Sequence, residues 1–251
     1  MTTSALPFTT RLHCLLRAFL LQGSWNFERM QSLGVLYALL PGLRRIYPAE
    51  QLPAEAKRHL DYFNSHPFLA ASILGATLNL EQERQRGGEG YLGVDEFKRI
   101  TMAPYAAMGD AFFWGGIRPF AAGIALFFAV KESLWAPMVF LTLFNLPHLL
   151  LRVGGFFRGC ECGLELIDLY QRLHLPDLAI RFKEGTVILL GGLCGYQSYL
   201  VLTHQETVVS WGLLLFPLVL IMGGLVRRGI SPLLQVLSLS TLLILGALIY
   251  R

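Results

Sequence analysis

The sequence predicts an all-α integral membrane protein, and three observations predict it. Hydrophobic residues make up 54% of the 251 and charged residues only 15%, with a mean hydropathy of +0.50; soluble domains carry roughly 25% charged residues. Residues 133–151, 185–203, 207–226 and 229–250 contain no Asp, Glu, Lys or Arg, and each reaches the ~17 to 25 residues that a spanning helix needs. Shorter apolar runs at 32–43, 67–80 and 100–130 come before them, the last interrupted by Asp110 and Arg118. Runs this short suit re-entrant or interfacial segments, which are tolerated at membrane depth only where protein or water covers their backbone. The expected architecture is an N-terminal amphipathic helix, re-entrant helical hairpins and about four to six transmembrane helices.

Residues 9–23 place apolar side chains at 12, 15, 16, 19 and 20 among Arg11, His13 and Arg17, the pattern of an amphipathic interfacial helix and not of a cleavable signal peptide. The stretch "LLQGSWNFERMQSLGVLYALLPG", residues 20–42, then sets Gln22, Asn26, Glu28, Arg29 and Gln31 into an otherwise apolar run. Read as a helix, it puts Gln22, Asn26 and Arg29 on one face and pairs Glu28 with Gln31. Amides, a carboxylate and a guanidinium beside Trp25 and Phe27 suit a sugar, whose hydroxyls need polar partners while an aromatic ring covers its apolar face. The structural alternative is that Ser24 or Asn26 caps a helix and Glu28 pairs with a basic neighbour.

Residues 45–63, with two prolines, form a polar excursion. In "HLDYFNSHPFLAASILGATLNLEQE", residues 59–83, Pro67 fits the first turn of a helix capped by Ser65 or His66. His66 is then a capping group or one that titrates near neutral pH. "EQERQRGGEGYLGVDEFKRI", residues 81–100, is rich in Gly and charge and predicts a flexible exposed loop. "GDAFFWGGIRPF", residues 109–120, reads as a re-entrant hairpin with its tip at Gly115-Gly116 and limbs bearing Asp110 and Arg118. These charges either close the hairpin as an ion pair or serve transport, the default hypothesis for ionisable groups at membrane depth.

Taking the four long runs as successive spans, the basic residues choose an orientation. Arg152, Arg158, Arg172, Arg181, Lys183, Arg227 and Arg228 fall on one side and Lys131 and Arg251 on the other. This predicts a cytoplasmic Arg227-Arg228 turn and a C-terminus outside. The chain divides into a motif-bearing region, 1–130, and a region of transmembrane helices, 131–251, with a cytoplasmic linker near 152–184.

Several function classes are disfavoured. Cys160 and Cys162 form Cys-Glu-Cys while Cys14 and Cys194 stand alone, a spacing that supports no metal site. The net charge of +4 is small and lies in short loops, so nucleic-acid binding is not expected. No phosphate-cradling loop, Gly-x-Ser-x-Gly elbow or paired-His zinc signature is present, and no cofactor is expected.

Three stretches carry a family resemblance. "FLLQGSWNFERMQSLGVLYALLPGLRRIYP", residues 19–48, resembles the N-terminal signature of the IID component of the mannose-family phosphotransferase system, a bacterial sugar permease. "HLDYFNSHPFLAASILGATLNLEQE" is similar to its Phe-Asn-Thr-Asn/His-Pro stretch, and "GDAFFWGGIRPF" to its Gly-Asp-x-x-Phe-Trp-x-x-x-Arg-Pro motif. Ahead of Asp110 the chain reads "MAPYAAMGD" where the family has a Gly-Pro-Leu-Ala-Gly-like run. The resemblance implies a non-catalytic subunit of the bacterial inner membrane, paired with a IIC subunit as a trimer of IIC–IID pairs among membrane lipid. It also implies that soluble IIA and IIB proteins phosphorylate a hexose as it emerges. The motif matches are Gln22, Asn26, Glu28 and Arg29 in the first stretch, Asn64 and Pro67 in the second, and Asp110, Trp114 and Arg118 in the third. A regulatory platform that docks IIA and IIB with little transport is the alternative.

Overall fold

A computed structural model describes residues 6–88, 92–204 and 210–249. Helices α1 (Phe8–Ala18), α2 (Ser32–Ile46), α3 (Leu52–Arg58), α4 (Pro67–Gln85), α5 (Val94–Gly109), α6 (Arg118–Ala129), α7 (Trp135–Cys162), α8 (Leu166–Arg172), α9 (Leu175–His204), α10 (Ser210–Arg227) and α11 (Pro232–Ile249) follow in order, and no strand occurs among the described residues. The all-α class is as expected. Stretches Val94–Ala129, Trp135–Leu200 and Pro232–Ile249 are apolar and long enough to cross a membrane. The start of the run predicted at 207 and the end of the one predicted at 250 lie outside the described residues.

The helix ends follow local chemistry. His66 caps α4 by accepting a hydrogen bond from Phe68 N–H, with Pro67 at the first helical position, where its missing N–H costs nothing. Asp95 and Glu96 occupy the first turn of α5, and Arg44 and Arg45 the last turn of α2, both matching the helix dipole. At the end of α7 the Asn79 amide donates to the Cys160 carbonyl over 2.9 Å, satisfying one of the acceptors a helix terminus leaves open.

Contacts divide the chain into two units, residues 1–190 and 191–251. In the first, α4 is apolar on every side and buried from Leu69 to Leu78; it packs against α7, α5 and α2. Outward-facing Met138, Leu141, Leu146 and Leu150 of α7 and Val187 and Ile188 of α9 are exposed, an apolar surface suited to contact with lipid. In the second unit, Gly229 at φ +87° turns the chain between α10 and α11, and the Gln235 amide donates to Ile230 O.

Two expectations are overturned. Residues 109–120 form no hairpin: Asp110–Ile117 is a π-helical stretch that joins α5 and α6 into one helix from Val94 to Ala129. Asp110 and Arg118 form no ion pair, and the Arg118 guanidinium lies 5.6 Å from the centre of the Trp114 ring. Nor does the exposed loop expected at 81–100 extend that far: among the described residues of this stretch only 86–88, 92 and 93 lie outside the helices. α4 continues through 81–85, α5 begins at 94, and Glu81 and Lys98 are buried.

Candidate functional site

The 20–31 stretch is not helical, so the shared face expected of Gln22, Asn26 and Arg29 does not form. Asn26 competes with the helix for backbone partners: its side-chain oxygen accepts from Glu28 N–H at 3.1 Å and Arg29 N–H at 2.8 Å. Its backbone pairs with Met30, which adopts φ 55°. Asn26 therefore builds the loop and presents its neighbours. Gln22, Glu28 and Arg29 are exposed, with Arg29 Nε 3.2 Å from Glu28 Oε1. Trp25 and Phe27 stand edge to face at 4.9 Å, Phe27 being 87% exposed.

Gln31 ties this loop to the second stretch. Its side chain is buried; Nε2 donates to Ser65 O at 2.8 Å and Oε1 accepts from Ser65 N–H at 3.0 Å. Its backbone N–H donates to Phe63 O. Asn64, between these anchored neighbours, is exposed.

His66 ties the second stretch to the third. Its ring stacks on Phe113 at 5.1 Å and lies 5.2 Å from Trp114. Its Cβ and Cγ press against Gly109, where a methyl group would collide with them; this glycine exists for close approach. Phe68 contacts Phe113, Trp114 and the His148 ring, the last stacked at 3.7 Å. All three stretches thus converge on residues 63–68, and the π-helical turn sets Trp114, 41% exposed, beside them. Such turns recur at functional sites. Asp110 and Arg118 project from the same turn and are exposed.

Arg152 is a structural residue that the apolar periodicity concealed. It is buried within α7, donates from Nη2 to Ala18 O at 2.7 Å and lies 4.1 Å from the Phe19 ring. It fastens the start of the first stretch to α7. The signal in the sequence was a single charge in a long apolar run.

His66 does not titrate near neutral pH. Burial, followed by the charges of His148 and Arg152, pushes its imidazole down to about 4. The unfolded chain takes up this proton near 6.5 while the folded chain resists it until about 4. The stability contributed by its burial is therefore complete above pH 6.5 and lost as pH falls toward 4. At 1.36 kcal/mol per pH unit the loss is about 3 kcal/mol at most. His66→Asn, which keeps a capping acceptor, is expected to flatten the acid side of a melting-temperature profile between pH 6.5 and 4; an unchanged profile contradicts this.

A cleft of 580 Å³ adjoins the convergence point, lined by His59, Asp61, Tyr62, Phe63, Lys98 and Arg99 among others. Beneath it lies a cluster that sequence reasoning missed. Glu81 accepts from Tyr47 Oη at 2.6 Å and from Arg58 Nη2 at 2.9 Å, and its other oxygen lies 2.9 Å from His59 Nε2. Lys98 Nζ lies 3.3 Å from His59 Nδ1 and 3.1 Å from Asp95. Burial holds the His59 imidazole below its ordinary value, hence neutral. Burial alone would raise Glu81, but hydrogen bonds from His59 and Tyr47 and the Arg58 charge hold it below the usual carboxylate range. Among the described residues, charges from distant parts of the sequence balance here.

Exposed amide, carboxylate and guanidinium groups beside Trp25, Phe27 and Trp114 can hold a polyhydroxyl ligand by hydrogen bonds and ring stacking. The family described as "PTS system mannose/fructose/sorbose family IID component" matches residues 6–250. The mannose-specific EIID component of Escherichia coli K12 is 43% identical over 155 residues, 61% of this chain and 55% of that protein. The chain spans about half the length of that relative. The fructose permease IID component of Bacillus subtilis 168 is 30% identical, with 92% of each chain covered. A solved structure described only as a membrane protein superposes with a TM-score of 0.72 at 30% identity over 97% of both chains. A cryo-EM structure of the mannose transporter ManYZ with microcin E492 superposes at 0.60, with 29% identity over 96% of both.

Proposed function

Because the chain belongs to the mannose/fructose/sorbose family of phosphotransferase-system IID components, we propose that it forms, with a IIC subunit, the path by which a hexose crosses the bacterial inner membrane. Soluble IIA and IIB proteins carry the phosphoryl group to the emerging sugar, and this chain performs no phosphoryl transfer of its own. A trimer of IIC–IID pairs, with the C-terminus outside, is the assembly we infer. The carrying observation is the convergence of all three motif stretches on residues 63–68, which leaves Gln22, Glu28, Arg29, Asn64, Asp110, Trp114 and Arg118 exposed. Gln31, His66 and Phe113, which unite the stretches, are buried, and the exposed groups face outward toward sugar or the IIC surface.

The test is tracer uptake of mannose-type sugars in cells carrying every component, with membrane abundance measured in parallel. Glu28→Ala is expected to lower uptake about tenfold, as the loss of one charge-assisted hydrogen bond does, at unchanged abundance. Gln31→Ala should lower abundance and uptake together, because it removes the buried bridge to Ser65. Uptake unaffected by Glu28→Ala removes these exposed groups from the pathway. Uptake unaffected by deleting the whole gene favours a docking platform instead.

A further inference from the structure

α1 has three distinct sides. Cys14, Leu15 and Ala18 are buried against the rest of the unit. Phe8, Leu12, Leu16, Phe19 and Leu20, spaced at one helical turn on α1 and the turn that follows, are 36% to 59% exposed. Along its remaining edge, a cleft of 380 Å³ runs between α1 and α2, lined by Thr9, Thr10, His13, Arg17, Arg44 and Arg45.

This cleft holds three guanidinium groups, an imidazole and two hydroxyls, and its lining contains no carboxylate. Arg17 is fixed in place: Nε donates to His13 Nε2 at 3.1 Å, Nη1 to Tyr37 O at 3.2 Å, and the guanidinium lies 4.5 Å from the Tyr37 ring centre. None of these partners neutralises its charge. Arg44 and Arg45 are exposed and form no ion pair among the described residues. The last turn of α2 gains from basic residues, but that benefit does not require them to share a cleft with Arg17. The first turn of α1, whose Thr9 and Thr10 line the same cleft, has no acidic residue and no side-chain cap, so no carboxylate competes for its free N–H groups.

We propose that this cleft binds the phosphate of an anionic phospholipid and so seats α1 in the membrane interface. Guanidinium groups match phosphate oxygens in pairs, and basic pockets beside membrane helices take anionic headgroups. The exposed apolar stripe decides for lipid over a free phosphate. A helix with an apolar face and a basic edge lies at the boundary of headgroups and acyl chains, which brings the cleft to phosphate depth. The proposal stands independently of sugar transport.

Full-length protein purified in a neutral detergent is titrated with phosphatidylglycerol or phosphatidylcholine of the same acyl chains, reading melting temperature and lipid retained in native mass spectra. Phosphatidylglycerol is expected to bind and stabilise, phosphatidylcholine to do so far less, and millimolar inorganic phosphate not to displace the lipid. R44Q/R45Q should weaken phosphatidylglycerol binding about 25-fold, at roughly fivefold per basic side chain, while lowering the melting temperature in lipid-free detergent by only the few degrees that two charges at a helix C-terminus contribute. R44Q alone should weaken it about fivefold, which serves if the double variant fails to fold. Equal binding of the two lipids, or binding unaltered in R44Q and in R44Q/R45Q, overturns the proposal. Inorganic phosphate that saturates the cleft and abolishes lipid binding overturns the lipid assignment.

Discussion

Gly159→Ala is expected to lower the melting temperature of the purified chain by several degrees, while Gly154→Ala, five residues earlier on α7, leaves it unchanged or raises it. A methyl group at Gly159 would collide with Ser72 O, lie 2.7 Å from Ala76 N and 3.1 Å from Gly75 C. These are backbone atoms of α4, so relief requires the two helices to part. Overpacking of this kind costs about 1 to 3 kcal/mol or more, against about 1 kcal/mol gained from replacing glycine within a helix. At roughly 2 to 4 °C per kcal/mol for a chain of this size, the clash dominates. Nothing lies within 4 Å of a methyl group at Gly154, so only the helical gain remains there. Equal melting temperatures for the two variants would show that α4 and α7 do not pack this closely. The pair matters for the site because α4 carries His66 at its start and α7 carries Arg152 and His148, the groups that hold the motif stretches together.

Apolar run length made much of this fold legible. The run at 229–250 became α11 (Pro232–Ile249), and the expected start of a helix at Pro67 is its observed first residue. Composition alone reports these features, because an unbroken helix in lipid must be apolar along its length. What was illegible depended on competition or on distance. Residues 22–31 have helical spacing, but the Asn26 side chain satisfies two backbone N–H groups locally and wins over the helix. Gly115-Gly116 looked like a hairpin tip, yet a π-helical turn accommodates two glycines without reversing the chain. α7 runs past 151 to Cys162 although Arg152 and Arg158 suggested its end; Arg152 finds Ala18 O and the Phe19 ring, 134 and 133 positions back in sequence, partners no local pattern reveals. The three motif stretches share one neighbourhood around 63–68, and the residues that create it, Gln31 and His66, carried only a local reading in the sequence, as one of a helix-face pair and as a cap.

Replacing Glu81 alone should be among the most damaging single changes in the chain. Glu81→Leu removes the one fully buried carboxylate that meets the Arg58 guanidinium, leaving it Glu55 and Asp95, and strips acceptors from the Tyr47 hydroxyl and the His59 ring N–H. The remaining Arg58 charge stays paired, so the cost comes from two buried donors left without an acceptor, about 1 to 3 kcal/mol each, and from the uneven charge left in the cluster. The expected result is loss of most folded protein from membranes, read by fluorescence-detected size exclusion. Arg58→Leu combined with Glu81→Leu should recover little of that loss, because it also takes the guanidinium from Glu55 and Asp95 while Tyr47 and His59 remain unsatisfied. The same cluster sets a pH direction. A carboxyl held below its ordinary value contributes stability that is present above that value and lost as pH falls through the folded one, and neutral buried His59 also loses stability on acidification, so both groups weaken the fold in acid. If Glu81→Leu folded as well as the parent, the cluster would have to be hydrated through the neighbouring 580 Å³ cleft. In that case the cleft, and not the buried charges, would be the feature these residues maintain.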